Sequence, residues 1–172
     1  EACFVTISYL VGARVSEILS LQANCVEERP SADGAESFSY LRGRIFKTAG
    51  TDAGTPHLWP APAPVLRAVE VLHHLSEPFR AETGRSELWL SLAGRGVVDR
   101  RPPEVPTGWS LIIRLNRRFA PFIDLPCQGD GTPWHLTTHQ GRKTFARFVG
   151  KRDRTGLHAL QHHFGHVTRI MT

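Results

Sequence analysis

His139 and Arg142 stand three residues apart in the run Thr137-Thr138-His139-Gln140-Gly141-Arg142-Lys143. That spacing sets an imidazole and a guanidinium on one face of a helix. Thr137 followed by Gln140 is a capping-box pattern and predicts a helix starting near Thr138. Ala146 and Val149 continue the face, with Phe145 and Phe148 alongside as the body the helix would bury. Both polar groups would then project from a positively polarised helix N-terminus, a place suited to a phosphate. Far upstream, Arg14 falls inside the apolar run Val11-Gly12-Ala13-Arg14-Val15. A guanidinium buried there is costly unless paired. Glu17, three residues on, can hold it from behind and leave its other donors for a ligand. Downstream, His166 follows Gly165, a residue able to end a helix that carries Leu157 and Leu160. Each piece also has a plainer reading: a solvated His/Arg pair in one case, a structural Arg14–Glu17 ion pair in the other.

Taken in chain order, Gly12-Ala13-Arg14-Val15-Ser16-Glu17, then His139 and Arg142, then Gly165-His166 resemble the catalytic domain of tyrosine recombinases, the phage-integrase family. The resemblance extends from Arg14 to His166. It implies that Arg14 and Arg142 neutralise the non-bridging oxygens of a scissile phosphate, a task suited to a permanently charged fork of donors. His139 would be the general base, its ordinary pKa lying near working pH, and His166 a further donor to the phosphate. The family also places a general-acid lysine on a β-hairpin, and Lys47 is the only lysine between Arg14 and His139. No metal or other cofactor is implied. The implied partners are double-stranded DNA and further protomers of the same chain, in a tetrameric synapse. The implied setting is the cytoplasm, on the nucleoid, in a protein of bacterial or phage origin.

The sequence departs from the family pattern in three places. A nucleophilic tyrosine should follow His166 by about nine residues, or two and a half helical turns, whereas Thr172 is the last residue and Tyr9 and Tyr40 lie far upstream. The chain is therefore expected to bind DNA without forming a 3′-phosphotyrosyl bond in cis. Gly141 stands where the family usually has leucine, and Lys143 where histidine is common; Lys143 could touch the DNA backbone as a cation.

Around these residues the hydrophobic pattern predicts a mainly α-helical α+β fold, a helical bundle with a small antiparallel sheet at its edge. Phe4, Ile7, Val11, Val15, Ile18 and Leu19 recur at helical spacing, interrupted by Gly12, so two helices or one broken helix are expected. Ser37–Leu41 and Arg44–Lys47 read as one strand or two short ones, returning after a polar turn at His57-Leu58-Trp59. Pro60, Pro62 and Pro64 lead into a helix with Val65, Leu66, Val69, Leu72 and Leu75 as its buried stripe. Leu88-Trp89-Leu90 reads as a short buried strand or extended segment, and 94–106 as an exposed loop. A further helix, Trp109 to Phe122, would turn Leu111, Ile112, Leu115, Phe119 and Phe122 inward. Arg114, Arg117 and Arg118 would form an outer basic face suited to DNA phosphates.

The 172 residues amount to one domain, with a net charge of +5 and a pI near 9.6 that favour a polyanionic partner. Glu1 in place of Met marks residues 1–172 as a catalytic-domain fragment, expected to lack an N-terminal DNA-clamping domain and the tyrosine segment. No apolar run reaches membrane-spanning length and no leader pattern is visible. Cys3, Cys25 and Cys127 lack zinc-like spacing and read as free thiols. Three rivals are weighed. A non-catalytic DNA-binding module derived from a recombinase would keep the same cations. A metal site could use His158, His162 and His166 at four-residue spacing, but Gly165 should break that face. A phosphoesterase using His139 or His166 as nucleophile would leave the Arg14 segment unexplained.

Overall fold

The computed structural model describes residues 1–47, 50–92, 102–152 and 157–165. Helix α1 (Ala2–Val11) ends at Gly12, whose φ of 69° is the left-handed conformation that favours glycine. The chain turns there and restarts as α2 (Val15–Leu19), with Arg14 in extended conformation as its N-cap. The interrupted apolar pattern is thus two helices with an elbow between them.

Three antiparallel strands follow in the order β1 (Val26–Pro30), β2 (Ser37–Ile45) and β3 (Thr55–Pro60). β2 is a single nine-residue strand in the middle, with Leu41 opposite Trp59 and Ile45 opposite Thr55. β1, not anticipated as a strand, is the edge; its Glu27, Glu28, Arg29 and closing Pro30 discourage further pairing. Leu88, Trp89 and Leu90 are buried as expected but form no strand, only flanking bridges at Gln22–Glu87 and Ser91–Glu104.

Helix α3 (Ala63–Thr83) buries Val65, Val69 and Leu72 against α1. Leu75, expected in that stripe, is 65% exposed; Ser76 is buried instead, its hydroxyl bonded to the Leu72 carbonyl. α4 (Gly108–Arg114) passes into a π-helical turn, Leu115–Phe119, and then α5 (Ala120–Phe122). The π turn corrects the expected continuous helix. Its wider winding rotates what lies downstream: Leu111 and Leu115 are buried as expected, while Phe122, past the turn, is 86% exposed. Arg114, at the end of α4, is half-buried, its Nε 3.9 Å from Glu1 Oε1, where an outward side chain was expected.

α6 (Gln140–Arg152) packs across α1, and α7 (Leu157–His163) leads to Gly165 at φ 59°. The crossing of α1 and α6 is close enough that a Cβ on Gly141 would lie 2.0 Å from Ser8 Oγ and 2.9 Å from the Ser8 carbonyl carbon. Only glycine fits between these helices. Phe148 does not join the buried body; it is 54% exposed and stacks beneath Arg152.

Candidate functional site

The elbow after α1, the first turn of α6 and the end of α7 meet around one buried carboxylate. Glu17, 1% exposed, accepts the Arg14 backbone N–H at Oε2 and Arg14 Nη1 at Oε1, each at 2.6 Å. Its Oε2 also lies 4.0 Å from Arg142 Nη1. Residues 128 positions apart in sequence (142 minus 14) therefore present their guanidiniums to the same acid. The other Arg142 bonds fix its direction: Nη1 donates to the Gly12 carbonyl at 2.9 Å and Nη2 to the Phe164 carbonyl at 3.4 Å. Its Cζ lies over the Phe164 ring, 3.8 Å from the centroid.

Among the described residues, two guanidiniums share one carboxylate, an excess of one positive charge over these three side chains. Burial first, and then the neighbouring Arg14 charge, lower the Arg142 pKa to about 10, with Glu17 acting in the opposite direction. Arg142 stays protonated at neutral pH, in a site that disfavours its charge. A bound anion would relieve that. The Arg14 guanidinium has donors beyond the one Glu17 takes, with no acceptor among the described residues.

His139 is exposed directly ahead of α6, and its carbonyl accepts the Lys143 N–H. The Gln140 half of the expected capping box forms, Oε1 accepting the Thr137 N–H at 2.9 Å; the helix begins at Gln140 rather than Thr138. Lys47 is exposed at the start of the β2–β3 connection. Lys143, Arg117 and Arg118 are exposed as well. His166 lies outside the described residues, as does the side chain of His158, so neither the phosphate-donor role nor the three-histidine metal reading can be located. Among the described residues no group of three metal-ligating side chains occurs, and no helix is long and apolar enough to cross a membrane.

Sequence reasoning overlooked two histidines. His163 points its Nε2 at the Val11 carbonyl, 2.6 Å away, with its ring stacked on Phe145 at 4.8 Å. His57, on β3, bonds through Nε2 to the His163 carbonyl at 3.1 Å. Burial is the main cause that lowers the pKa of both. The one signal in the sequence was an additional His two residues before Gly165.

No family model and no curated protein matches the sequence. Solved structures do match its fold. XerH site-specific recombinase bound to its difH substrate, in a pre-cleavage complex, is similar with a TM-score of 0.64 over 98% of this chain at 13% identity. The Tn1549 transposon integrase in complex with circular intermediate DNA is similar with a TM-score of 0.54, again over 98% of this chain, at 15% identity. The chain spans 40% of the former's length and 52% of the latter's. The fold is that of a tyrosine-recombinase catalytic domain, mainly helical with a three-stranded antiparallel sheet.

Proposed function

We propose that a protein carrying this domain is a site-specific DNA recombinase or integrase, and that the paired guanidiniums of Arg14 and Arg142 are its cradle for the scissile phosphate. The observation that carries the reading is that these two arginines, from segments far apart in sequence, converge on the one buried carboxylate of Glu17. A phosphodiester carries one negative charge, and a guanidinium offers directed donors to oxygens that gain charge in the transition state.

In this reading Glu17 is a support, setting the direction of Arg14 from behind. His139, exposed beside the cradle's α6 wall, takes the nucleophile's proton. Lys47 reaches in from its hairpin to protonate the departing 5′-oxygen, and His166 adds a phosphate contact. Lys143, Arg117 and Arg118 meet the flanking backbone of double-stranded DNA; Arg114, half-buried, is the weakest member of that set. A tyrosine beyond Thr172 supplies the nucleophile, and further protomers complete a tetrameric synapse. No metal and no other cofactor enters the scheme.

Covalent trapping of the full-length protein on nicked duplex DNA tests it. A 3′-phosphotyrosyl adduct is expected, absent in R14A and in R142A while both remain folded. Adduct formation by either variant at the unsubstituted rate would refute the assigned roles. DNA binding without any adduct, from a reading frame with no tyrosine within about three helical turns of His166, would favour the non-catalytic module.

A further inference from the structure

The elbow that carries Arg14 is held by more than its own sequence. His163 reaches the Val11 carbonyl from α7, and Arg142 reaches the next carbonyl, Gly12, from α6. The His163 ring stacks on Phe145, which in turn fills the space at Gly12; a Cβ there would lie 2.6 Å from Phe145 Cδ1. Behind His163, its carbonyl accepts from His57 on β3. One connected path thus joins β3, α7 and the elbow, the strand following the Lys47 hairpin at one end and Arg14 at the other.

A carbonyl only accepts, so Nε2 of His163 carries the proton in this bond. Burial is the main cause that opposes a second proton on the ring; the bond to Val11 favours one, and the charges of His57, Arg142 and His162 oppose it. The ring is therefore the neutral Nε2–H tautomer, with its direction set by the stack on Phe145.

We propose that His163 is a positioning residue for the phosphate cradle: its Nε2–H bond to Val11 fixes the last turn of α1, so that the elbow presents Arg14 beside Arg142. This rests on the recombinase reading above and adds to it a residue that touches neither phosphate nor nucleophile. A residue that merely filled the core would need its ring but not its donor. The two contributions can be separated, since H163F keeps a ring over Phe145 without the N–H, and H163Q keeps an N–H donor without the ring.

The test is the salt dependence of binding of the full-length protein to duplex DNA of arbitrary sequence. R14A removes one phosphate contact and should reduce the slope of log Kobs against log salt by about 0.9. If the proposal holds, H163F reproduces most of that reduction while remaining folded by circular dichroism, and H163Q stays nearer the unsubstituted slope. A folded H163F with an unchanged slope, beside a reduced R14A, removes His163 from the cradle and leaves the recombinase reading intact. An unchanged R14A slope defeats the recombinase reading itself. A measurement on the unsubstituted protein covers the case in which H163F does not fold. Nitrogen-15 NMR of histidine-labelled protein at neutral pH should show His163 as the Nε2–H tautomer, and an Nδ1–H tautomer would overturn the proposal.

Discussion

Replacing Glu17 by glutamine separates a cradle for anions from an ordinary ion pair. The carboxylate is 1% exposed and serves Arg14 twice at 2.6 Å and Arg142 at 4.0 Å. Breaking a buried pair from one side costs about 3–5 kcal/mol, because the partner charge stays buried without compensation. The amide oxygen of E17Q still accepts one N–H, a bond worth about 1 kcal/mol, which puts the expected loss near 3 kcal/mol. For a chain of this length each kcal/mol moves the midpoint by about 2–4 °C, so Tm should fall by about 6–12 °C. Calorimetry of this domain's unfolding transition in the full-length protein, run in chloride, gives that value. The same scan in sulfate at matched ionic strength is the sharper half of the test. Both proteins gain from sulfate exclusion at the surface, but E17Q has lost the negative charge that the two guanidiniums share and should bind the anion more tightly, so the gap in Tm should narrow. A loss below about 1 kcal/mol, or an equal sulfate gain in both proteins, would refute the idea that Glu17 is the counter-charge the two arginines share.

Other perturbations have equally definite outcomes. G141A should lose about 1–3 kcal/mol in urea unfolding, since its Cβ would overlap the buried Ser8; a neutral result would mean that α1 and α6 can separate freely. G165A should also destabilise, because φ is 59° and the added methyl would meet Ile45 Cδ1, and its urea midpoint should fall below that of the unsubstituted protein. F122S should stay within about 0.5 kcal/mol of the parent in the same assay, whereas a large loss would mean the π turn does not rotate this ring to solvent. Stability should be level above about pH 6.5 and decline as pH falls below it. His57 and His163 are harder to protonate folded than unfolded, starting from an ordinary value of 6.5, so the unfolded chain takes up protons first. Urea titrations across pH 5–8 check this, and H163F should have the shallower decline.

What could be read from the sequence follows from how local each cause is. Arg14 and Glu17 were legible because a charge inside an apolar helical pattern needs a partner within a turn. The elbow was legible because Gly12 interrupts that pattern. The antiparallel return of β3 on β2 followed from β-prone runs on either side of a polar turn. β1 was not, since Glu27-Glu28-Arg29 has no alternation; its place at the sheet edge allows that composition. Periodicity assumes uniform winding, so Phe122 was assigned inward and the π turn at Leu115–Phe119 overturned the assignment. Leu75 was misassigned for another reason: the stripe continues along α3 past the surface that covers it. The shared use of Glu17 by Arg142, and the His163 bond to Val11, depend on contacts between distant segments that no local pattern encodes.

The crossing at Gly141 sets a tolerance for the whole cradle. Ser8 lies three residues before Val11, about 4.5 Å along α1, and Gly141 is one residue from Arg142, about 1.5 Å along α6. With such short lever arms, a change of about 10° in the angle between the helices would shift either end by less than about 1 Å. A change in separation has no such attenuation, since it moves one guanidinium away from the other ångström for ångström. Thermal rocking of the bundle should thus leave the pair in register, while a single methylene at the pivot would pull it apart.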